Sequence, residues 1–174
     1  MITIDAQIWV YYFDANALEN ANVTKWLVGE DNNGTLFTEE ILLSLIIPME
    51  VGHSIFKTRG LMLEDADQIM NAFLSIDTCR FIDIDLFLAT NALKFLRNNA
   101  STGIGGRDAL IVATMNEYHV TTIVTNDKNL LSLKDYKRID PVLDPPIILD
   151  IGEEFDQKIF KTRISKLYLS EDIK

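Results

Sequence analysis

Four acids stand at places from which a chain of this length could bring them together. Asp5 follows ITI, Asp127 follows TTIVT, and Asp108 lies in the first turn of the helical run that leads into TTIVT. Glu50 is embedded in the most apolar stretch, between IIPM and VGHSIF. Each has an ordinary explanation when taken alone. Asp108 would cap its helix and suit the helix dipole, Asp127 would open an Asx-type turn, Asp5 would cap the helix that follows it, and Glu50 would point to solvent. Glu50 fits that description least, because a charge among apolar neighbours is costly unless paired or metal-bound. Four acids at compatible positions favour a shared site. Packed carboxylates repel and raise one another's pKa unless a cation compensates them. Their hard oxygens select Mg²⁺ or Mn²⁺ over zinc. One or two such ions, about 4 Å apart, activate water and stabilise both oxygens of an in-line phosphodiester displacement. Hydrolysis of a nucleic-acid backbone is the reaction that suits this arrangement.

The elements that must position these acids read as alternating strands and helices. ITI and TLFT are predicted as short strands, CRFIDI and TTIVT as longer ones, and PVLDPPIILDI as an extended segment ending in an edge strand. Helices are predicted over AQIWVYYFDAN, Glu19 to Val28, and Glu39 to Thr58, the last kinked or broken at Pro48 and ended by Gly60. LMLEDADQIMNAFLSI should follow as an amphipathic helix with Leu63, Ala66, Ile69, Met70 and Phe73 inward. DLFLATNALKFLRNN should bury Leu88, Ala92, Phe95 and Leu96, and RDALIVATMNEYH should form the helix carrying Asp108. This order predicts an α/β fold, a three-layer α/β/α sandwich around a mainly parallel sheet. In such a sheet functional groups gather at the carboxyl ends of the strands, which is where Asp5 and Asp127 fall.

Composition narrows the class. A chain of 174 residues, 48% apolar and 24% charged, suits one globular domain. The main domain is expected over 1–151, with 152–174 as a C-terminal amphipathic helical extension. In that extension Lys158, Lys161, Arg163 and Lys166 concentrate positive charge. It could pack on its own domain, follow an RNA path or contact a protein partner. One cysteine, Cys79, offers neither an internal disulfide nor a Cys-rich zinc site, so a cytoplasmic setting is expected. MITIDAQIW lacks the pattern of a signal peptide, and ILLSLIIPMEV is too short to span a bilayer. The net charge of −10, from 16 basic and 26 acidic residues, argues against general nucleic-acid affinity. It leaves a nuclease open, because bound divalent metal reverses the local field of its carboxylates.

Three stretches carry a resemblance. ITIDAQIWV resembles the N-terminal hydrophobic-Asp motif of PIN-domain ribonucleases, and PMEVGHSIFK resembles their Glu-bearing apolar helix. GGRDALIVATMNEYHVTTIVTNDKNL is similar to their Asp-helix, strand and Thr-Asn-Asp turn in the expected order. The likeness covers about residues 1–150 and is nearest to toxins of VapBC-type toxin–antitoxin pairs. It implies a Mg²⁺- or Mn²⁺-dependent endoribonuclease. Asp5, Glu50, Asp108 and Asp127 would be its catalytic, metal-binding quartet, with Thr125, Asn126 and Gln7 in support. Asn126 would shape the turn and contact water at the ion. Arg107 and Lys128 are candidate RNA contacts, although Arg107 could equally be solvated or salt-bridged. The implied partners are RNA and a small antitoxin. A homodimer is also expected, since Trp9, Tyr11, Tyr12 and Phe13 crowd one short helix. The family usually has a small Ser, Thr or Asn two places after the first Asp, where this chain has Gln7.

Other signals are weaker. GIGG at 103–106 lacks the GK[ST] ending of a phosphate loop and reads as a flexible lead-in to Asp108. Glu50 and His53 form an ExxH pair, but a di-iron bundle needs two such motifs and His119 has none, so His53 reads as a helix-face residue. Gln7 also stands where a haloacid dehalogenase-type phosphatase would have its second Asp. A non-catalytic PIN-like RNA- or protein-binding module and a housekeeping RNA-processing nuclease remain as alternatives.

Overall fold

The computed structural model describes residues 1–58 and 61–169, with the side chains of Lys166 and Leu169 left out. Gly60, expected to end a helix, and the side chain of Lys166 therefore lie outside the described residues. Short parallel strands, buried on both faces, form the centre of the molecule. Strands β1 (Thr3–Ile4), β4 (Thr122–Val124) and β5 (Lys137–Asp140) pair in parallel, and β6 (Ile147–Leu149) closes that edge antiparallel to β5. Thr3 sits opposite Ile123, and Val124 opposite Ile139. Strands β2 (Ile41–Ser44) and β3 (Cys79–Ile82) form a second parallel pair. Ile2 joins the two ladders: its N–H donates to the Glu40 carbonyl at 3.0 Å, and its own carbonyl accepts from Leu42 at 2.8 Å. The spatial order is therefore β3-β2-β1-β4-β5-β6, which reverses between β1 and β4. In open α/β sheets that reversal opens a crevice at the strands' carboxyl ends.

Helices cover this sheet, giving the expected α/β sandwich. They are α1 (Ala6–Phe13), α2 (Asn20–Val28), the single turn α3 (Thr35–Thr38), α4 (Ile46–Ile55), α5 (Leu63–Leu74), α6 (Leu86–Asn98), α7 (Gly106–Glu117), the short α8 (Lys128–Leu131) and α9 (Gln157–Leu169). Trp9 of α1 is fully buried and packs on Phe73 of α5, with ring centroids 4.7 Å apart. Phe13 stacks on Trp9 at 6.3 Å, and Tyr12 meets its edge at 6.4 Å. Most of the aromatic crowding in α1 is thus used inside the molecule. Burial of Trp9 and Phe73 together contributes several kcal/mol and fixes α1 against α5.

Three sequence expectations need correction. TLFT is the turn α3, not a strand: Gly34 precedes it and Thr38 bonds back to the Gly34 carbonyl at 3.1 Å. The run from Glu39 to Thr58, expected to be helical with a kink or break at Pro48, is strand β2 followed by α4, and Pro48 falls in the first turn of α4, where its missing N–H costs nothing. Leu63 is 69% exposed, whereas Ala66 and Phe73 are buried; it sits at the first position of α5, before the apolar face begins. Strand β5 was not expected at all. Among the described residues no helix is long and apolar enough to cross a membrane.

Helix α9 packs back on the main body through Ile164 and Leu167. The Tyr168 hydroxyl donates to the carboxylate of Glu19, which is buried at the head of α2. Arg163 donates to the Pro145 carbonyl at 2.6 Å. Arg138 of β5, wholly buried, donates one guanidinium nitrogen to the carbonyls of Asp150 and Glu153, at 2.9 and 3.0 Å, and so pins the loop that leads to α9.

Candidate active site

A cleft of about 560 Å³ opens at the carboxyl ends of β1 and β4. Its walls include Asp5, Glu50, Asp108 and Asp127 together with Gln7, Tyr11, Met49, His53, Arg107 and Asn126. Local structure explains why acids occur there. Asp5 is the residue before α1, Asp108 lies in the first turn of α7, and Asp127 caps α8. Three helix N-termini therefore face the same space, and their unpaired N–H groups and dipoles favour negative charge. Glu50 comes from the middle of α4, which packs on both α1 and α7.

Thr125 ties two of these acids together. It is fully buried at the end of β4; its hydroxyl donates to the Asp5 carboxylate at 2.8 Å and accepts the Asp127 N–H at 3.0 Å. Its own N–H is held by the Ile139 carbonyl at 2.9 Å, so the hydroxyl is fixed by the sheet. Asp5 is itself only 8% exposed. Burial raises its carboxyl to about 7, opposed by the Thr125 bond and reinforced by the charges of Asp108 and Glu50. Burial also raises Glu50, with Arg107 opposing and Asp108 adding to the rise. Asp108 is raised by burial as well; the Gly105 N–H pulls it down and Asp127 pushes it up. These mutual influences mark a cluster short of positive charge.

Each acid also has a partner outside the cluster. Glu50 makes an ion pair with the Arg107 guanidinium. Asp108 accepts the Gly105 N–H at 2.9 Å, which gives the GIGG segment a defined role in setting that carboxylate. Asp127 accepts the Asn129 N–H at 2.6 Å and that of Leu130 at 3.4 Å, so the turn role and the cleft position coincide in one side chain. As the side chains lie, no three His, Cys, Asp or Glu groups among the described residues stand close enough to hold an ion. The donor set nevertheless suits a hard divalent cation: carboxylate oxygens only, one of them buried and two more with raised pKa.

The other expected residues divide. Gln7 is exposed at the cleft wall, and its side chain partners Tyr11. Asn126 lines the cleft, but its amide donates to Asp140 at 2.9 Å. Lys128 is exposed at the start of α8 and is not among the cleft-lining residues. Sequence reasoning missed Asp140, which is fully buried at the end of β5, accepts the Val142 N–H at 3.0 Å and is raised to about 6 by burial. An acid closing the strand-like KRID, just before Pro141, was the available signal. It also missed the cleft position of Tyr11, and it assigned His53 only to a helix face although His53 lies one turn beyond Glu50 on the cleft wall. The ExxH spacing from Glu50 was the available signal, since residues three apart share a helix face.

The comparisons agree with this architecture. No curated protein sequence matches the chain. VapC20 of Mycobacterium tuberculosis, described as a sarcin-ricin loop cleaving toxin, superposes with a TM-score of 0.62 at 14% identity, covering 75% of this chain and 94% of its own. FitAcB from Neisseria gonorrhoeae gives 0.61 at 18% identity, over 81% of this chain and 98% of that one. VapBC2 from Rickettsia felis, bound to a DNA fragment from its promoter, gives 0.58 at 20% identity, over 80% and 100%. At these identities the likeness is one of fold. The PIN domain family model matches residues 2–136, most of the chain and all four acids, and the chain belongs to the PIN domain family.

Proposed function

We propose that this protein is a Mg²⁺- or Mn²⁺-dependent endoribonuclease and the toxin of a toxin–antitoxin pair. The observation that carries the reading is the meeting of Asp5, Glu50, Asp108 and Asp127 in one cleft at the point where strand order reverses, in a PIN-domain chain. In this reading those four carboxylates would hold the cation, which would supply Lewis acidity toward a phosphate. The chain's own residues do the remainder. Thr125 fixes the Asp5 carboxylate and the Asp127 backbone relative to one another. Asp140, through Asn126, holds the turn that presents Asp127. Val10, Tyr11 and Met49 give the cleft an apolar flank against which an unpaired base can rest.

Residues 1–151 form the nuclease domain in this proposal, and 152–174 a C-terminal extension whose described part packs on it through Ile164 and Leu167. The proposed setting is the cytoplasm, with a homodimer as the working unit and a small antitoxin as its inhibitor. Support for the antitoxin comes from the fold neighbours, among them a toxin–antitoxin complex from Klebsiella pneumoniae (TM-score 0.55, 16% identity). The test is cleavage of single-stranded RNA with Mn²⁺ and with EDTA. Cleavage should require the metal and disappear in Asp108→Asn and Asp127→Asn; undiminished cleavage in both variants would overturn the reading.

A second reading is a non-catalytic PIN module that binds RNA or protein. It is favoured by Gln7 at the cleft wall and by the engagement of every acid with a partner of its own. Calorimetry separates the two, since this module would take up no Mn²⁺ at millimolar concentration.

A further inference from the structure

We propose that Arg107 is a displaceable cation: it holds Glu50 in the metal-free protein, yields it to the metal, and then takes up an RNA phosphate. This inference rests on the metal-dependent reading above. Arg107 is the only Arg or Lys among the described residues that line the cleft, and its guanidinium is paired with Glu50. The two side chains differ in freedom. Arg107 is 71% exposed and Glu50 is 18% exposed, so a separation would move the arginine and leave the glutamate in place. The backbone of Arg107 is helical, in the first turn of α7 and immediately before Asp108. Its flexible side chain can therefore change partner while Asp108 stays where it is.

The physical case for exchange is one of charge. Arg107 is ion-paired with Glu50 and immediately precedes Asp108, so its guanidinium serves as a counter-ion in the cleft. A divalent ion brings twice that charge at shorter range to the same oxygens, and the guanidinium then faces a cation instead of an anion. An RNA backbone arriving at the cleft presents the planar anion that an arginine fork fits best. Among the described residues, the charged groups that line the cleft apart from Arg107 are the four acids, and the one other basic side chain there is His53. Metal and RNA should consequently bind with positive coupling, because the metal frees the group that the RNA needs.

Two titrations on the intact protein test this. Calorimetry with MnCl₂ compares wild type, Arg107→Ala and Arg107→Lys. Removal of a competing partner should tighten Mn²⁺ binding in Arg107→Ala by about fivefold, with Arg107→Lys between the two. Fluorescence anisotropy with a labelled short single-stranded oligouridylate in Ca²⁺, a cation held by the same oxygens, reads the second half. There Arg107→Ala should bind RNA about tenfold more weakly, and the gain that wild type shows on adding Ca²⁺ should shrink. Mn²⁺ affinity in Arg107→Ala equal to or below that of wild type overturns the competition. Tighter metal binding with unchanged RNA affinity overturns the transfer to phosphate. If wild type takes up no Mn²⁺ at millimolar concentration, the metal-dependent reading itself falls, and this inference with it.

Discussion

Replacing Asp5 with asparagine should stabilise the metal-free protein at alkaline pH while destroying its capacity for metal. Asp5 is almost fully buried beside Asp108 and Glu50, and its carboxyl rises from 3.8 to about 7. A raised carboxyl in the folded state means that the folded protein binds this proton more tightly than the unfolded chain. The resulting stability is fully present below about pH 4 and is lost as pH climbs through about 7. At about 1.4 kcal/mol per pKa unit the loss has a ceiling of about 4 kcal/mol. Asparagine removes the titration and keeps the contact, since its amide oxygen accepts the Thr125 hydroxyl as the carboxylate does at 2.8 Å. In urea or thermal denaturation with EDTA, Asp5→Asn should match wild type near pH 4 and exceed it near pH 8, with Tm higher by up to the order of 10 °C. Added Mn²⁺ should then stabilise wild type and leave the variant unchanged. Parallel pH profiles for the two proteins, or a variant less stable at both ends, would refute the reasoning.

Further outcomes follow from the same contacts. Thr125→Val leaves the Asp127 N–H and the Asp5 carboxylate without their shared partner, and should cost about 1–3 kcal/mol by denaturation and weaken Mn²⁺ binding. Asn126→Ala strips the buried Asp140 of one of its two bonds, with a similar loss of about 1–3 kcal/mol in urea unfolding. Tyr168→Phe removes the bond to Glu19 and should raise amide hydrogen exchange across α9, with little change in the central strands. Trp9→Ala opens the aromatic cluster with Phe13 and Phe73 and should cost about 3–5 kcal/mol.

Much of the route to the site is legible in the chain. Asp5 and Asp127 follow β-branched runs and Asp108 opens a helix, so strand ends and helix starts can be read directly, and parallel α/β topology brings such ends together. The errors arose where local pattern is ambiguous. ILLSLIIPMEV is a continuous apolar run, and periodicity alone cannot divide it into a buried strand and a helix; the chain divides it at Leu45. KRID, with three charged residues in four, was assigned to no element, yet Arg138 and Asp140 are both buried on one face of β5 and bonded to groups distant in the sequence. TLFT has strand composition but only one turn of length, and the loop ahead of it decides its conformation.

At the site, residue types and order were readable, whereas partners were not. Nothing in GGRDAL specifies that Arg107 reaches Glu50, 57 positions earlier. That pairing depends on how α4 lies against α7. The function of Thr125 as a link between Asp5 and Asp127 likewise exists only once β1 and β4 are paired.

The most direct test of the central claim is anomalous scattering from crystals soaked in MnCl₂. The account predicts a Mn²⁺ peak in the cleft, with oxygens of Asp5, Glu50, Asp108 and Asp127 in or adjoining its coordination shell at about 2.1 Å, and with the Arg107 side chain swung away from Glu50. A cleft without a peak at millimolar Mn²⁺, or a peak held by other residues, would contradict it.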